Sequence, residues 1–177
     1  MKYLAYFSFV LLILAVMVGC GQQKQKMEPS SSLTMENANF AANLSGINEV
    51  PDTVHTKATG QALFRFNLDT TKIHYKLSVS GLDSVLMAHV HLGLADENGD
   101  HIAWLYPDSG MAPKLIPGPV NGVLAEGLIT AKDLVGPMQG KTIADLKGLM
   151  MKDSTYVQVH TSKYPEGEIR GQINPVR

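Results

Sequence analysis

A chain of 177 residues carrying 15 Lys and Arg against 16 Asp and Glu has no basic excess with which to hold a polyanion, and this argues against nucleic-acid binding. A single cysteine rules out an intrachain disulfide and any site built on paired cysteines.

The N-terminus opens with Lys2 and an apolar run from Leu4 to Val18, broken only by Tyr6 and Ser8. That run is roughly 15 residues long, short of the about 20 a membrane span needs, and it fits the core of a signal peptide. It ends in Met17-Val18-Gly19-Cys20, which resembles a lipobox, with Met17 where leucine is usual. The expectation is that residues 1–19 are a lipoprotein signal peptide and that Cys20 is acylated, anchoring the chain in a membrane. An ordinary signal peptide or an uncleaved anchor is the alternative. Residues 20–36 are polar and rich in Gln, Lys and Ser, too poor in apolar side chains to pack, so they read as a flexible tether. Gly21 is not the aspartate that retains many lipoproteins in an inner membrane. The expected location is the cell envelope, with the outer membrane favoured if there is one and its periplasmic or surface face left open.

Residues 37–177 are enough for one domain, and their pattern is that of strands. A first strand is expected over Asn39 to Leu44. Ala62, Phe64, Phe66 and Leu68 alternate with polar or outward residues, and Ile73, Tyr75, Leu77 and Val79 do the same after Asp69-Thr70-Thr71-Lys72, a hairpin. Further strands are expected over Met87 to Leu92, Ile102 to Tyr106, Gly122 to Ile129, Tyr156 to Thr161 and Glu168 to Ile173. Between Tyr106 and Val120 the prolines and glycines predict a long loop, where a ligand or an envelope protein could be met. Thr130 is placed to cap a short turn over Ala131 to Leu134. Thr142 and Asp145 are spaced to cap a helix with Ile143, Leu146, Leu149 and Met150 on one face. Met150 and Met151 read as core filler. The sum is an all-β fold, an antiparallel Greek-key sandwich or barrel with one short helical insert.

Four segments carry a family resemblance. They are Leu44-Ser45-Gly46-Ile47-Asn48-Glu49-Val50-Pro51, then Ala88-His89-Val90-His91-Leu92-Gly93 with Glu97-Asn98-Gly99, then Ile129 to Leu134, and finally Tyr156 to Thr161 with Pro165 to Ile173. In that order they resemble the CHRD domain, named for chordin and found also in bacterial proteins. Asp153-Ser154-Thr155 departs from the pattern, which has a glycine in that turn. The resemblance implies an extracellular β-sandwich module without an established enzymatic activity, and chordin's growth-factor partners do not transfer to a bacterial lipoprotein.

Candidate chemistry is confined to histidines and one charged pair. If Ala88, Val90 and Leu92 face the core, His89 and His91 share the opposite face, roughly 6.6 Å apart along the strand. His160 alternates in the same way against Val157 and Val159. Three neutral imidazoles with an open fourth position would suit zinc or copper. His55, His74 and His101 are further possible contributors. The His-x-His strand is also similar in spacing to copper–zinc superoxide dismutases, an analogy of fold alone. The competing expectation is structural, with these histidines hydrogen-bonding near Thr161, Glu168 and Arg170. Glu168 and Arg170 are expected to act as a structural clamp, Arg170 gripping a loop carboxylate such as Glu49 or Asp96. Trp104, next to the long loop, reads as core before ligand surface. No nucleophile elbow or phosphate-binding glycine loop is present. The chain thus reads as a lipid-anchored binding or structural module, or alternatively as a His-ligated metalloprotein for metal handling or redox protection.

Overall fold

Alternation of apolar and polar residues sets the architecture. The computed structural model describes residues 32–108 and 112–177. The expected signal peptide, Cys20 and most of the expected tether lie outside the described residues. Ahead of the first strand Leu33 is buried and Met35–Asn37 makes a 3-10 turn.

Eight strands follow: β1 (Phe40–Ser45), β2 (Thr59–Phe66), β3 (Lys72–Leu92), β4 (His101–Tyr106), β5 (Ile116–Thr130), β6 (Thr155–Thr161), β7 (Ile169–Gln172) and β8 (Asn174–Pro175). All pairings between them are antiparallel. The path β2-β1-β7-β6-β3 closes because β2 also pairs with β3, so the sheet is a barrel with β4, β5 and β8 added to it. Inward residues of every barrel strand meet in one core, among them Phe40, Leu44, Phe64, Ile73, Leu77, Val90, Val157, Val159 and Ile169. The hairpin between β2 and β3 is tied by Asn67, whose Oδ1 accepts from the backbone N–H groups of Thr71 and Lys72 at 3.0 and 2.9 Å. No helix among the described residues is long and apolar enough to cross a membrane.

The structure corrects four expectations. The strands expected at Ile73–Val79 and Met87–Leu92 are one element, the 21-residue β3. Gly81 and Ser84, at φ 73° and 52°, kink it without reversing it, and Asn121 Oδ1 accepts from the Gly81 N–H at 2.8 Å to hold the bend. The long loop is shorter than expected, because Ile116 to Val120 continue β5 along the kinked part of β3. Leu68 lies in the turn and is fully exposed. Met151 is also exposed: it is the C-cap of helix α1 (Ile143–Met150), one step past the face that buries Ile143, Leu146 and Met150. The helix itself begins as read, with Thr142 Oγ1 accepting from the Asp145 N–H at 3.1 Å. Thr130 likewise opens a 3-10 turn over Ala131–Asp133, closed by Asp133.

Candidate metal centre

His89 and His91 stand on β3 and His160 on β6, the neighbouring strand. The register pairs His89 with Gln158, His91 with Tyr156 and Met87 with His160, so His160 lies diagonally across from His89. Ala88, Val90, Val157 and Val159 point into the barrel, and the three histidines take the outer face. Sequence reasoning treats that face as polar; the structure shows it buried. All seven residues of β6 are buried, and His89, His91 and His160 are 3%, 8% and 5% exposed.

Loops 46–58, 93–100 and 162–168 supply the cover, and the clamp pair holds them. Arg170 is 1% exposed. Its Nη1 donates to Asn98 Oδ1 at 2.8 Å and its Nη2 to the carbonyls of Leu94 and Glu97, both at 2.7 Å. The bidentate grip on a carboxylate expected of Arg170 is therefore replaced by a grip on the 93–100 loop, whose carbonyls converge on the guanidinium. Glu168, just ahead of β7, accepts from Thr56 Oγ1 at 2.8 Å and from Thr161 Oγ1 at 2.7 Å, tying the 46–58 loop to β6. Asn98 Nδ2 in turn donates to the Val50 carbonyl at 2.7 Å, joining two of the loops.

These loops also fix the tautomers. A carbonyl only accepts, so His91 Nδ1 donates to Gly99 O at 2.9 Å and His160 Nδ1 donates to Pro165 O at 3.0 Å. Both rings then carry their lone pair on Nε2. His89 Nδ1 lies 3.3 Å from His160 Nε2, while Nε2 of His89 and of His91 are buried with no hydrogen-bond partner among the described residues. Burial pushes the His89 imidazolium down to about 2, with His160, His91 and His101 nearby adding to the effect. Burial likewise pushes His91 down to about 4 and lowers His160, against the hydrogen bonds to Gly99 and Pro165. All three rings are neutral at physiological pH, the form that binds a metal ion.

One nitrogen from each of the three rings lies within 4.8 Å of one from each of the others, so the group can hold a metal ion. A tetrahedral zinc with Zn–N bonds of about 2.0–2.1 Å spaces its nitrogens roughly 3.3–3.4 Å apart, so three rings whose nitrogens lie within 4.8 Å of one another would draw together slightly around an ion. The carbonyls on the far nitrogens of His91 and His160 are the orienting partners a ligating imidazole takes. Unpartnered buried nitrogens cost about 1–3 kcal/mol each, and a bound ion would relieve that cost. His55 and His74 do not belong to the group.

Three further residues of the site take places that sequence reasoning did not give them. Trp104, half-buried on β4, meets His89 edge-on at 4.2 Å between ring centroids instead of filling the core. Tyr156 stacks on His91 at 4.9 Å with the planes 14° apart, and Arg170 lies 3.5 Å from the Tyr156 ring centre. Glu49 is buried, accepts from Gln158 Nε2 at 2.5 Å through Oε2, and has no partner for Oε1 among the described residues. Burial raises its carboxyl to about 7, against the Gln158 hydrogen bond and the Arg170 charge. The sequence offers Glu49 as a carboxylate for Arg170 to grip; the structure instead bonds it to Gln158 on β6, with Arg170 acting on it only through its charge.

The comparison with protein families decides the lineage. The model described as CHRD domain matches residues 40–173, nearly the whole β domain. The chain belongs to the CHRD-domain family. The match spans all four resembling segments, the strands that carry the histidines and the loops that cover them. It establishes a CHRD β module and brings no known catalytic role. No curated protein matches the chain.

Proposed function

We propose that this CHRD module works in the bacterial cell envelope, lipid-anchored through Cys20, as a non-catalytic binding module whose domain holds one zinc or copper ion on His89, His91 and His160. The observation behind the metal reading is the pair of buried Nε2 atoms, on His89 and His91, that bond to nothing among the described residues, while the loops fix His91 and His160 with the lone pair on Nε2. Purely structural histidines in a covered site would be satisfied by their neighbours. Three nitrogen donors leave one position for a further ligand, which suits metal capture and transfer in an envelope. The anchor reading is supported by Lys2, the apolar run to Val18 and the Gly19-Cys20 junction.

The test is a titration of the full-length chain, extracted in mild detergent, with zinc and with copper separately. Near one-to-one binding that is lost when His89, His91 and His160 are all replaced by alanine supports the centre. Equal, weak binding by both proteins would leave the histidines structural. Cys20→Ser tests the anchor: the chain should leave the membrane fraction and stop incorporating labelled fatty acid.

A second reading, docking of an envelope protein, has its own observation. β5 pairs only with β3 among the described residues, and the chain there exposes Leu115, Val123 and Leu128 beside a free strand edge. Cross-linking from position 123 in intact cells would capture such a partner, and charged residues at positions 123 and 128 should abolish the capture.

A further inference from the structure

Strict alternation sends residues three apart on a strand to opposite faces. His101 and Trp104 are three apart on β4, and yet both rings lie against His89, with centroids at 5.0 and 4.2 Å. The register explains how. Trp104 pairs with His89, Ala103 with Val90 and His101 with His91, so Ile102 has no opposite number on β3. This extra residue is a β-bulge. It resets the alternation, so that Ile102 and Ala103 are both wholly buried in the core while His101 turns to the histidine face. A bulge beside a site is a means of re-aiming one side chain. Here the side chain it re-aims is a fourth imidazole.

His101 differs from the other three in being exposed. Its ring centroid lies 5.0 Å from that of His89, 6.2 Å from His91 and 5.6 Å from Trp104, and its nitrogens fall outside the tight group. An exposed imidazole can move between staggered rotamers without displacing packed neighbours, and so carry its ring nitrogens to a new position. Three neutral nitrogens leave a tetrahedral ion one donor short, and the sequence supplies one on the open side.

We infer that His101 is the fourth ligand of the centre, a movable one that turns from its place against His89 and Trp104 onto the ion once His89, His91 and His160 have taken it. The inference rests on the metal-binding reading of those three residues. The exchange is simple: a bond from the ion to a ring nitrogen of His101 replaces its last bond to water, the water leaves, and neither ion nor protein changes oxidation state. The centre is closed when loaded and opens by movement of one exposed side chain.

Cobalt(II), which takes zinc sites and reports its ligands by absorption, is the probe, added to the full-length chain in detergent. His101→Ala and His101→Phe, the second keeping a ring against Trp104, should both weaken cobalt binding by about tenfold or more and change the visible bands. His101→Cys should restore binding and add a near-ultraviolet sulfur-to-cobalt charge-transfer band absent from the parent. Parent and variants with the same affinity and spectrum, and no new band in His101→Cys, would overturn the inference while leaving the three-histidine centre intact. A parent chain that binds no cobalt would remove the centre itself, and the fourth ligand with it.

Discussion

The Gly99 carbonyl accepts a hydrogen bond from His91 Nδ1 at 2.9 Å, and through this one contact a loop turn decides which nitrogen of a buried histidine is free. The turn is tight. A side chain at Gly99 would collide with the backbone of Leu92, whose N–H donates to Asp100 O at 3.0 Å. Gly99→Ala should therefore lift the 93–100 loop, costing about 2–3 kcal/mol of stability. It should also weaken zinc binding by roughly tenfold through loss of the orienting carbonyl. Urea denaturation and competition with a zinc chelator measure the two effects.

Arg170 holds the same loop from beneath, donating to two carbonyls and to Asn98 while its guanidinium lies against Tyr156. Lysine keeps the charge but has neither the planar fork nor the stacking face. Arg170→Lys should cost about 2 kcal/mol and open residues 93–100 to proteolysis, with the barrel strands still resistant. Limited digestion followed by mass spectrometry reads this directly; an uncut loop would show the grip to be dispensable.

Glu49 gives a pH dependence with a definite sign. Its carboxyl is raised from 4.5 to about 7 by burial, so the folded protein holds a proton there that the unfolded chain has already released. The stability this contributes is fully present below about pH 4.5 and is lost as pH rises through about 7, a change on the order of 3 kcal/mol. Glu49→Gln removes the titration. The stability of the variant relative to the parent should accordingly rise between pH 5 and 8, as followed by denaturant melts at fixed ionic strength. A constant difference across that window would mean that Glu49 ionises freely in the fold.

Asp153 adopts φ 53°, the left-handed conformation, in the turn where the family pattern has glycine. Asp153→Gly should be neutral or stabilise by about 0.5 kcal/mol, whereas Asp153→Val should cost about 1–2 kcal/mol. Thermal unfolding of the pair checks both signs at once.

Much of this fold was legible because its strands alternate: Ile73, Tyr75, Leu77 and Val79 of β3 and Ala62 and Phe64 of β2 are buried as the pattern picked out, although Leu63, read as outward, is buried with them. The helix was legible because Thr142 and Asp145 are three apart. His89, His91 and His160 were picked by the same period of two, and the register brings them together. What alternation cannot carry is a break in itself. The kink at Gly81 and Ser84 looked like the end of a strand, and the bulge at Ile102 hid His101 from any count by twos. Nor does a strand pattern show what covers its outer face. The burial of the histidines depends on three loops whose contacts join residues roughly fifty to more than a hundred positions apart, such as Asn98 with Val50 and Arg170 with Asn98.

The two ends of the domain are fastened at one place. Phe40 pairs with Pro175 and Ala41 with Asn174, and the Val176 N–H donates to Asn39 O at 2.9 Å, while on its other edge β1 pairs with β2 along all six residues. A pull directed along β1 would act at right angles to its hydrogen bonds. Bonds loaded in that direction share the force and must give way together, where a strand drawn from its edge would unzip one rung at a time. A load along β1 would thus meet the barrel in shear, with Asn174 to Val176 acting as the latch.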